Sequence, residues 1–562
     1  MIRTSSLLSS GCILQRNKEN RIWGTAGKGV KLTLALEAEG KKLQELETTA
    51  DAEGSFEFLL PAYEAGGPYT IRISDASEEL CIEDVLFGDV FLLAGQSNME
   101  LPVRRTLDLT ADHVKTINED AIRQFEVPKM WDFHGPVDDI YEGCWKKADQ
   151  TNVYEFSALG YFFAEKWKAE YGVPVGLLQT GCGGIQIEAL IPEDKLLEIG
   201  KELVEDAIKR GETKEKNCHC GANGSCKFCY EEVIEKDHSD DHIRETMEAD
   251  ARRQEEYSSQ LDANDRGLKE GWKDRSSLYE DGEAEIPTLT VPGRWEKLKK
   301  NAELEFLRGS VWVLKHFSLP EECVGKEGKL VFGTLIDADV TYINGTEVGR
   351  TEYRYPPRRY PVPAGVLKKE NTLVSRVIVK QRAGGFVEEM PYYLECGDVK
   401  VSLEGEYEFR IGVNENPEFS TEPVELPDPT FFLYRPCGMY NRMIYPLRKL
   451  KLSGMLFYQG ESNAMHYQEY EKLMILFAKN IRECFEDPEL KMTFVELPMF
   501  GGEDKGRETN EWDELRFAQE RATKQIPHAS IADIYDLGFR YELHPQNKKE
   551  VAERVFEAFG KL

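Results

Sequence analysis

No run of residues in this 562-residue chain approaches the roughly 20 apolar positions a helix needs to cross a bilayer, which excludes a membrane-spanning helix. Positive charge is short relative to negative: 71 Lys and Arg stand against 101 Asp and Glu, a formal charge of −30. Such a surface repels phosphate backbones and anionic lipid, so nucleic acid and membrane are not expected partners. A secretion signal is not expected either, because it needs a basic start and a sustained apolar core. Here only Arg3 precedes the polar stretch Thr4-Ser-Ser-Leu-Leu-Ser-Ser10. Leu8-Ser-Ser-Gly-Cys12 bears a faint likeness to a lipoprotein cleavage site, but a first strand through Cys12-Ile-Leu-Gln15 is the better reading. The expectation is a cytoplasmic protein whose twelve cysteines are reduced thiols or metal ligands rather than a disulfide framework.

What is present is enough apolar and aromatic residue, 41% and 10%, for proper cores, in a chain long enough for roughly three domains. Residues 1–84 read as an N-terminal β-sandwich, because Lys31-Leu-Thr-Leu-Ala-Leu36, Ser55-Phe-Glu-Phe-Leu59 and Tyr69-Thr-Ile-Arg-Ile73 alternate as half-buried strands do. From residue 85 strands alternate with amphipathic helices. Ser157 to Trp167 has helical spacing and Val173 to Leu178 reads as a buried strand, so an α/β domain with a helix-covered parallel sheet is predicted. Its first part, 85–275, ends in a charged, cysteine-rich insertion at about 201–275. Residues 276–403 turn all-β again, with Asn344-Gly345 as a hairpin turn. Residues 404–562 resume the α/β pattern, so a β module inserted in one α/β domain explains the order.

Four segments carry chemistry. In Gly88-Asp-Val-Phe-Leu-Leu-Ala-Gly-Gln-Ser-Asn-Met-Glu100 an apolar strand ends at a tight turn tipped by Ser97. Hydrolases lift a nucleophilic hydroxyl out of a sheet in this way, although an ordinary core strand and turn fits the same residues. In Leu177-Leu-Gln-Thr-Gly-Cys-Gly-Gly-Ile-Gln-Ile-Glu-Ala189 the glycines let backbone N–H groups face a ligand, as a developing oxyanion requires, although a plain strand-to-helix connection fits the same residues. Gly454-Met-Leu-Phe-Tyr-Gln-Gly-Glu-Ser-Asn463 delivers Gln459 and Asn463 at a strand's carboxyl end, where open α/β sheets bind ligands. His544, just before Pro545 and a helix start, offers an imidazole able to take a serine proton and return it.

Together these segments resemble the SGNH hydrolases, specifically the sialate O-acetylesterase-like family. Gly95-Gln-Ser-Asn-Met-Glu100, Gly183-Gly184, Tyr458-Gln-Gly-Glu-Ser-Asn463, Trp512-Asp-Glu-Leu-Arg-Phe-Ala-Gln519 and His544-Pro545 with Asn547-Lys548 look like family blocks. The early Leu14-Gln-Arg with Ile22-Trp-Gly24 resembles the family's N-terminal sandwich. Gly309-Ser-Val-Trp312, Tyr342 to Gly349 and Arg359-Tyr360 look like a galactose-binding-like jelly roll. The resemblance implies a three-layer α/β/α domain and a serine carbohydrate O-acetylesterase without a catalytic cofactor. Its nucleophile would be Ser97 and its general base and acid His544. The oxyanion hole would come from the Ser97 and Gly183 N–H groups and an amide of Asn463 or Gln459. Relatives usually place an aspartate three residues before the histidine, where this chain has Tyr541. Glu542, Asp536 or no third member is therefore left open.

Independently, Cys218-His-Cys-Gly-Ala-Asn-Gly-Ser-Cys-Lys-Phe-Cys229 packs Cys218, Cys220, Cys226 and Cys229 into one loop, a set suited to a closed, structural Zn²⁺ site, with His219 as an alternative ligand. The expected substrate is sialic acid or an acetylated xylan- or mannan-type oligosaccharide. The acidic surface leans against an anionic sugar. Two other classes are weighed: a carbohydrate-binding protein with a dead site, and a lipase or thioesterase, against which the chain shows no extended apolar lid. The oligomeric state, a homo-oligomer included, is left open.

Overall fold

The computed structural model describes residues 1–218, 226–280, 286–295, 302–380, 384–388, 390–415, 428–501, 510–540 and 542–562. Two units emerge, one of residues 1–244 with 430–562 and one of residues 245–429.

In the first unit the alternation near the N-terminus becomes antiparallel sheet. Leu32, Leu34 and Leu36 of the strand Lys31–Ala38 are buried between more exposed neighbours, and this strand pairs with Lys41–Thr49 and Gly66–Ser74. The strand Glu79–Gly95 then links two sheet regions. Its first half pairs with Gly66–Ser74 and with Ile13–Gln15, and its second half runs into a parallel sheet. The order there is Trp145–Ala148, Glu119–Glu126, Val175–Gln179, Glu79–Gly95, Gly454–Tyr458, Met492–Val495, Ala529–Ala532, and every pairing but the first is parallel. Val175–Gln179, Gly454–Tyr458 and Met492–Val495 are buried throughout, as strands covered on both faces must be.

The helices follow from equally local causes. Ala158–Tyr171 is capped by the Ser157 hydroxyl, which accepts from the Gly160 N–H, and it stops at Gly172 in the left-handed conformation. Phe163 and Trp167 pack on Phe556 and Phe559 of the closing helix Lys548–Phe559. The chain visits Val175–Gln179 on one side of Glu79–Gly95 and Gly454–Tyr458 on the other. In open α/β sheets the carboxyl ends of strands at such a reversal are where ligands bind. Ser97 lies just beyond that edge.

The second unit is β-rich. Six antiparallel strands run in the order Thr288–Val291, Gly405–Asn414, Gly309–Ser318, Glu370–Val379, Ala338–Ile343, Thr346–Thr351. A four-stranded sheet runs Arg359–Val362, Gly328–Phe332, Tyr392–Cys396, Val399–Ser402. Apolar side chains of both sheets, among them Val311, Val377, Phe332 and Leu394, form one core. Asn344 and Gly345 both take positive φ in the hairpin expected there. Asp240–Asn264 is a long, mostly exposed helix. Among the described residues no helix is long and apolar enough to cross a membrane.

Candidate active site

The turn after Glu79–Gly95 is built for close approach. Gly95 has φ +133°, and a side chain there would put its Cβ 2.0 Å from the Tyr458 carbonyl oxygen on the neighbouring strand. The Gln96 N–H donates to that same oxygen at 2.9 Å. A single helical turn, Ser97–Glu100, follows, with Ser97 at its first position and half-buried.

His544 arrives from the other end of the chain, and its Nε2 lies 2.7 Å from Ser97 Oγ. The distance is that of a hydrogen bond, and His544 is only 9% exposed. Asn98, next to the serine, holds the histidine segment in place. Its Nδ2 donates to the Leu543 carbonyl at 3.0 Å and to Glu461 Oε1 at 2.7 Å, and its Oδ1 accepts from Lys548 Nζ at 2.9 Å. Lys548 also donates to the Pro545 carbonyl at 2.7 Å. One asparagine therefore bridges three elements, with the histidine flanked on both sides by residues tied to the network.

Burial, with the charges of Lys548 and Arg105, pushes the His544 imidazole down from its ordinary 6.5 to about 3. Burial likewise pushes Lys548 down to about 7, against the pull of Glu461 and Glu542, and desolvation pushes Glu461 up to about 7. A base works only when unprotonated, and a lowered pKa delays its protonation to lower pH. Any reaction in which His544 serves as the base is thus expected to hold its kcat/KM through weakly acidic pH. The acid limb should fall well below the ordinary imidazole value, and a pH–rate profile half-maximal near 6.5 would count against this.

The Glu542 Oε1 accepts from the His544 backbone N–H at 3.2 Å. Asp536, the other acidic candidate, forms a two-pronged pair with Arg554, whose NH2 lies 2.7 Å from Oδ2. Tyr541 lies outside the described residues.

Gly183 lies beside the serine: a Cβ built on it would be 3.5 Å from Ser97 Cβ. Its N–H donates to the Glu100 carboxylate, whose other partner is Lys129. Asn463, fully buried, donates from Nδ2 to Glu188 Oε2 at 2.9 Å and accepts at Oδ1 from the Ile187 N–H at 3.0 Å and Gln459 Nε2 at 2.7 Å. Gln459 Nε2 also donates to Gln96 Oε1 and the Ile185 carbonyl, both at 3.2 Å, while its Oε1 accepts from Tyr470 at 2.7 Å. Gln459 is thereby committed on every side within the protein. Gln519, in the Trp512–Gln519 segment, donates to the Gln459 carbonyl at 2.9 Å.

No local pattern singles out Asn98, Glu188, Glu461 or Lys548, although all four sit inside the four chemistry-bearing segments or next to them. Of the cysteines, Cys218, Cys226 and Cys229 bring their sulfurs within 4.8 Å of one another. Cys220 and His219 lie outside the described residues.

Residues 432–558 match the family model described as carbohydrate esterase, sialic acid-specific acetylesterase. The chain is similar to the sialate O-acetylesterase of Homo sapiens, 26% identical over 200 residues, covering 33% of this chain and 38% of that protein. It is also similar to that of Mus musculus, 24% identical over 242 residues, covering 40% and 44%. The matches thus span about two fifths of these relatives. A carbohydrate acetylesterase from Xanthomonas citri shares the fold, with a TM-score of 0.55 and 21% identity over 99% of this chain and 74% of that one.

Proposed function

We propose, from the match of residues 432–558 to the sialic acid-specific acetylesterase model and from the geometry of the site, that the chain removes acetyl groups from sugar hydroxyls through a Ser-His acyl-enzyme. The single observation that carries this is the 2.7 Å contact between His544 Nε2 and Ser97 Oγ, two groups 447 positions apart in sequence. A hydroxyl at the tip of a strand-to-helix turn, in contact with a buried neutral imidazole, is the arrangement that activates a serine.

In this reading His544 takes the Ser97 proton as Oγ attacks the acetyl carbonyl, and returns it to the sugar alkoxide. Water, activated by the same imidazole, then frees acetate. The Ser97 and Gly183 N–H groups, with the Asn463 amide, serve the oxyanion. Gly183 does so once Glu100 gives way toward Lys129. Gln459, whose amide hydrogens are spent on Gln96, Ile185 and Asn463, acts as a positioning residue and not as a donor to substrate. Glu542 is the better third member, because it already touches the His544 backbone while Asp536 is held by Arg554. The parallel sheet and its helices are read as the three-layer SGNH arrangement, and the second unit as a galactose-binding-like jelly roll.

The test is acetate release from a panel: O-acetylated sialic acids, acetylated xylo- and manno-oligosaccharides, and esters of longer acyl chains. Turnover of one acetylated sugar class, with poor use of longer acyl groups, is expected. Preference for long-chain esters would favour a lipase or thioesterase, and glycan binding without acetate release would favour a lectin-like protein.

A further inference from the structure

The thiol cluster has no part in the chemistry just described, yet it is built as a site. Cys218 and Cys229 sulfurs are 3.3 Å apart and those of Cys226 and Cys229 4.0 Å, with all three inside 4.8 Å. Tetrahedral Zn²⁺, with Zn–S near 2.3 Å, places its sulfurs about 3.8 Å apart. Cys226 and Cys229 are 3% and 7% exposed, and the Cys229 N–H donates to the Cys226 carbonyl at 2.8 Å in the tight turn of a Cys-x-x-Cys loop. With Phe228 and Val233 the three thiols form a small apolar cluster of their own. So few side chains supply little burial energy to order this charged segment, and small units of this kind are commonly held by a metal.

The next residue connects the cluster to the active site. Tyr230 opens the helix Tyr230–Asp237, and its hydroxyl donates to Glu188 Oε1 at 2.9 Å. The other oxygen of Glu188 accepts from Asn463 Nδ2, also at 2.9 Å. Lys227, inside the Cys-x-x-Cys loop, pairs with the buried Glu469 on the helix Tyr467–Cys484 and with Glu212. The thiols, Tyr230, Glu188 and Asn463 form an unbroken chain of covalent and hydrogen-bonded contacts.

We propose that Cys218, Cys226 and Cys229 bind one Zn²⁺ as thiolates, and that this ion fixes the start of the 230–237 helix so that Tyr230 holds Glu188 against Asn463. Binding releases the thiol protons and involves no redox change. His219 and Cys220 are further donors in the sequence that lie outside the described residues. Zinc binding stands independently of the esterase reading. The effect on turnover rests on it.

The test uses untagged full-length protein. Elemental analysis should give one zinc per chain. Exchange of zinc for Co²⁺ should produce thiolate-to-cobalt charge-transfer absorption, which Cys226→Ser and Cys229→Ser abolish and Cys144→Ser, a change at an exposed thiol, leaves intact. Removing the metal should speed hydrogen exchange at the Ile187 N–H, which donates to Asn463, and lower kcat more than KM. Tyr230→Phe should lower kcat likewise while keeping the cobalt spectrum. Protein without metal that takes up no Co²⁺, or a Cys218–Cys229 disulfide seen by mass, overturns the site. Unchanged Ile187 exchange in metal-free protein overturns the positioning role, whatever the activity.

Discussion

Replacing Ser97 by alanine is expected to cut acetate release at least about a hundredfold while leaving the fold intact. The change removes one half-buried oxygen whose contact in the structure is His544 Nε2. The neighbouring network does not use it: Asn98 holds Leu543, Glu461 and Lys548 through its own amide. Thermal unfolding should therefore match the parent, and KM should move little, because the hydroxyl acts in bond making rather than in holding the sugar. Residual turnover is expected, since oxyanion donors and positioning still assist attack by water. Parent-like rates in Ser97→Ala would place the nucleophile elsewhere.

Gly95→Ala should have the largest effect on stability. The strand must end with φ +133° while its backbone passes against Tyr458. A methyl group there meets the Tyr458 carbonyl oxygen at 2.0 Å and the carbonyl carbon at 2.6 Å, both in a neighbouring strand that cannot turn aside as a side chain can. Positive φ adds a second penalty for any residue with a Cβ. A loss of about 3–5 kcal/mol is expected, in the range reserved for changes that break a packed core. Denaturant titration of the variant would show it, and an unshifted midpoint would mean the strand ends differently from the geometry described. Because the same turn carries Ser97, whatever variant does fold should also lose activity.

Both predictions concern features that were readable along the chain. An apolar run broken by Gly-Gln-Ser-Asn announces a strand and a tight turn because few other conformations suit those residues. The alternation at Lys31–Leu36 and the helical spacing from Ser157 to Trp167 are likewise local, and the strand Lys31–Ala38 and the helix Ala158–Tyr171 form there. Positioning residues were not readable, and the reason is physical. Asn98 matters through Leu543 and Lys548, 445 and 450 positions away, and no local pattern distinguishes an amide that bridges three elements from one that faces water. Gln459 shows the reverse: its place at a strand's carboxyl end pointed toward the ligand, but its surroundings, Gln96, Ile185, Asn463 and Tyr470, consume its hydrogen-bonding capacity. Glu188 belongs to the same class, since its role depends on a tyrosine from the cysteine-bearing segment.

In the proposed reaction the Ser97 hydroxyl attacks the acetyl carbon. The most direct measurement of that attack is labelling with a small phosphonate ester, which captures an activated serine at phosphorus, followed by peptide mapping. One label per chain on Ser97, accumulating as esterase activity is lost and absent from Ser97→Ala, is the predicted result. Inactivation with the label on another residue, or full activity after complete exposure to the reagent, would contradict it.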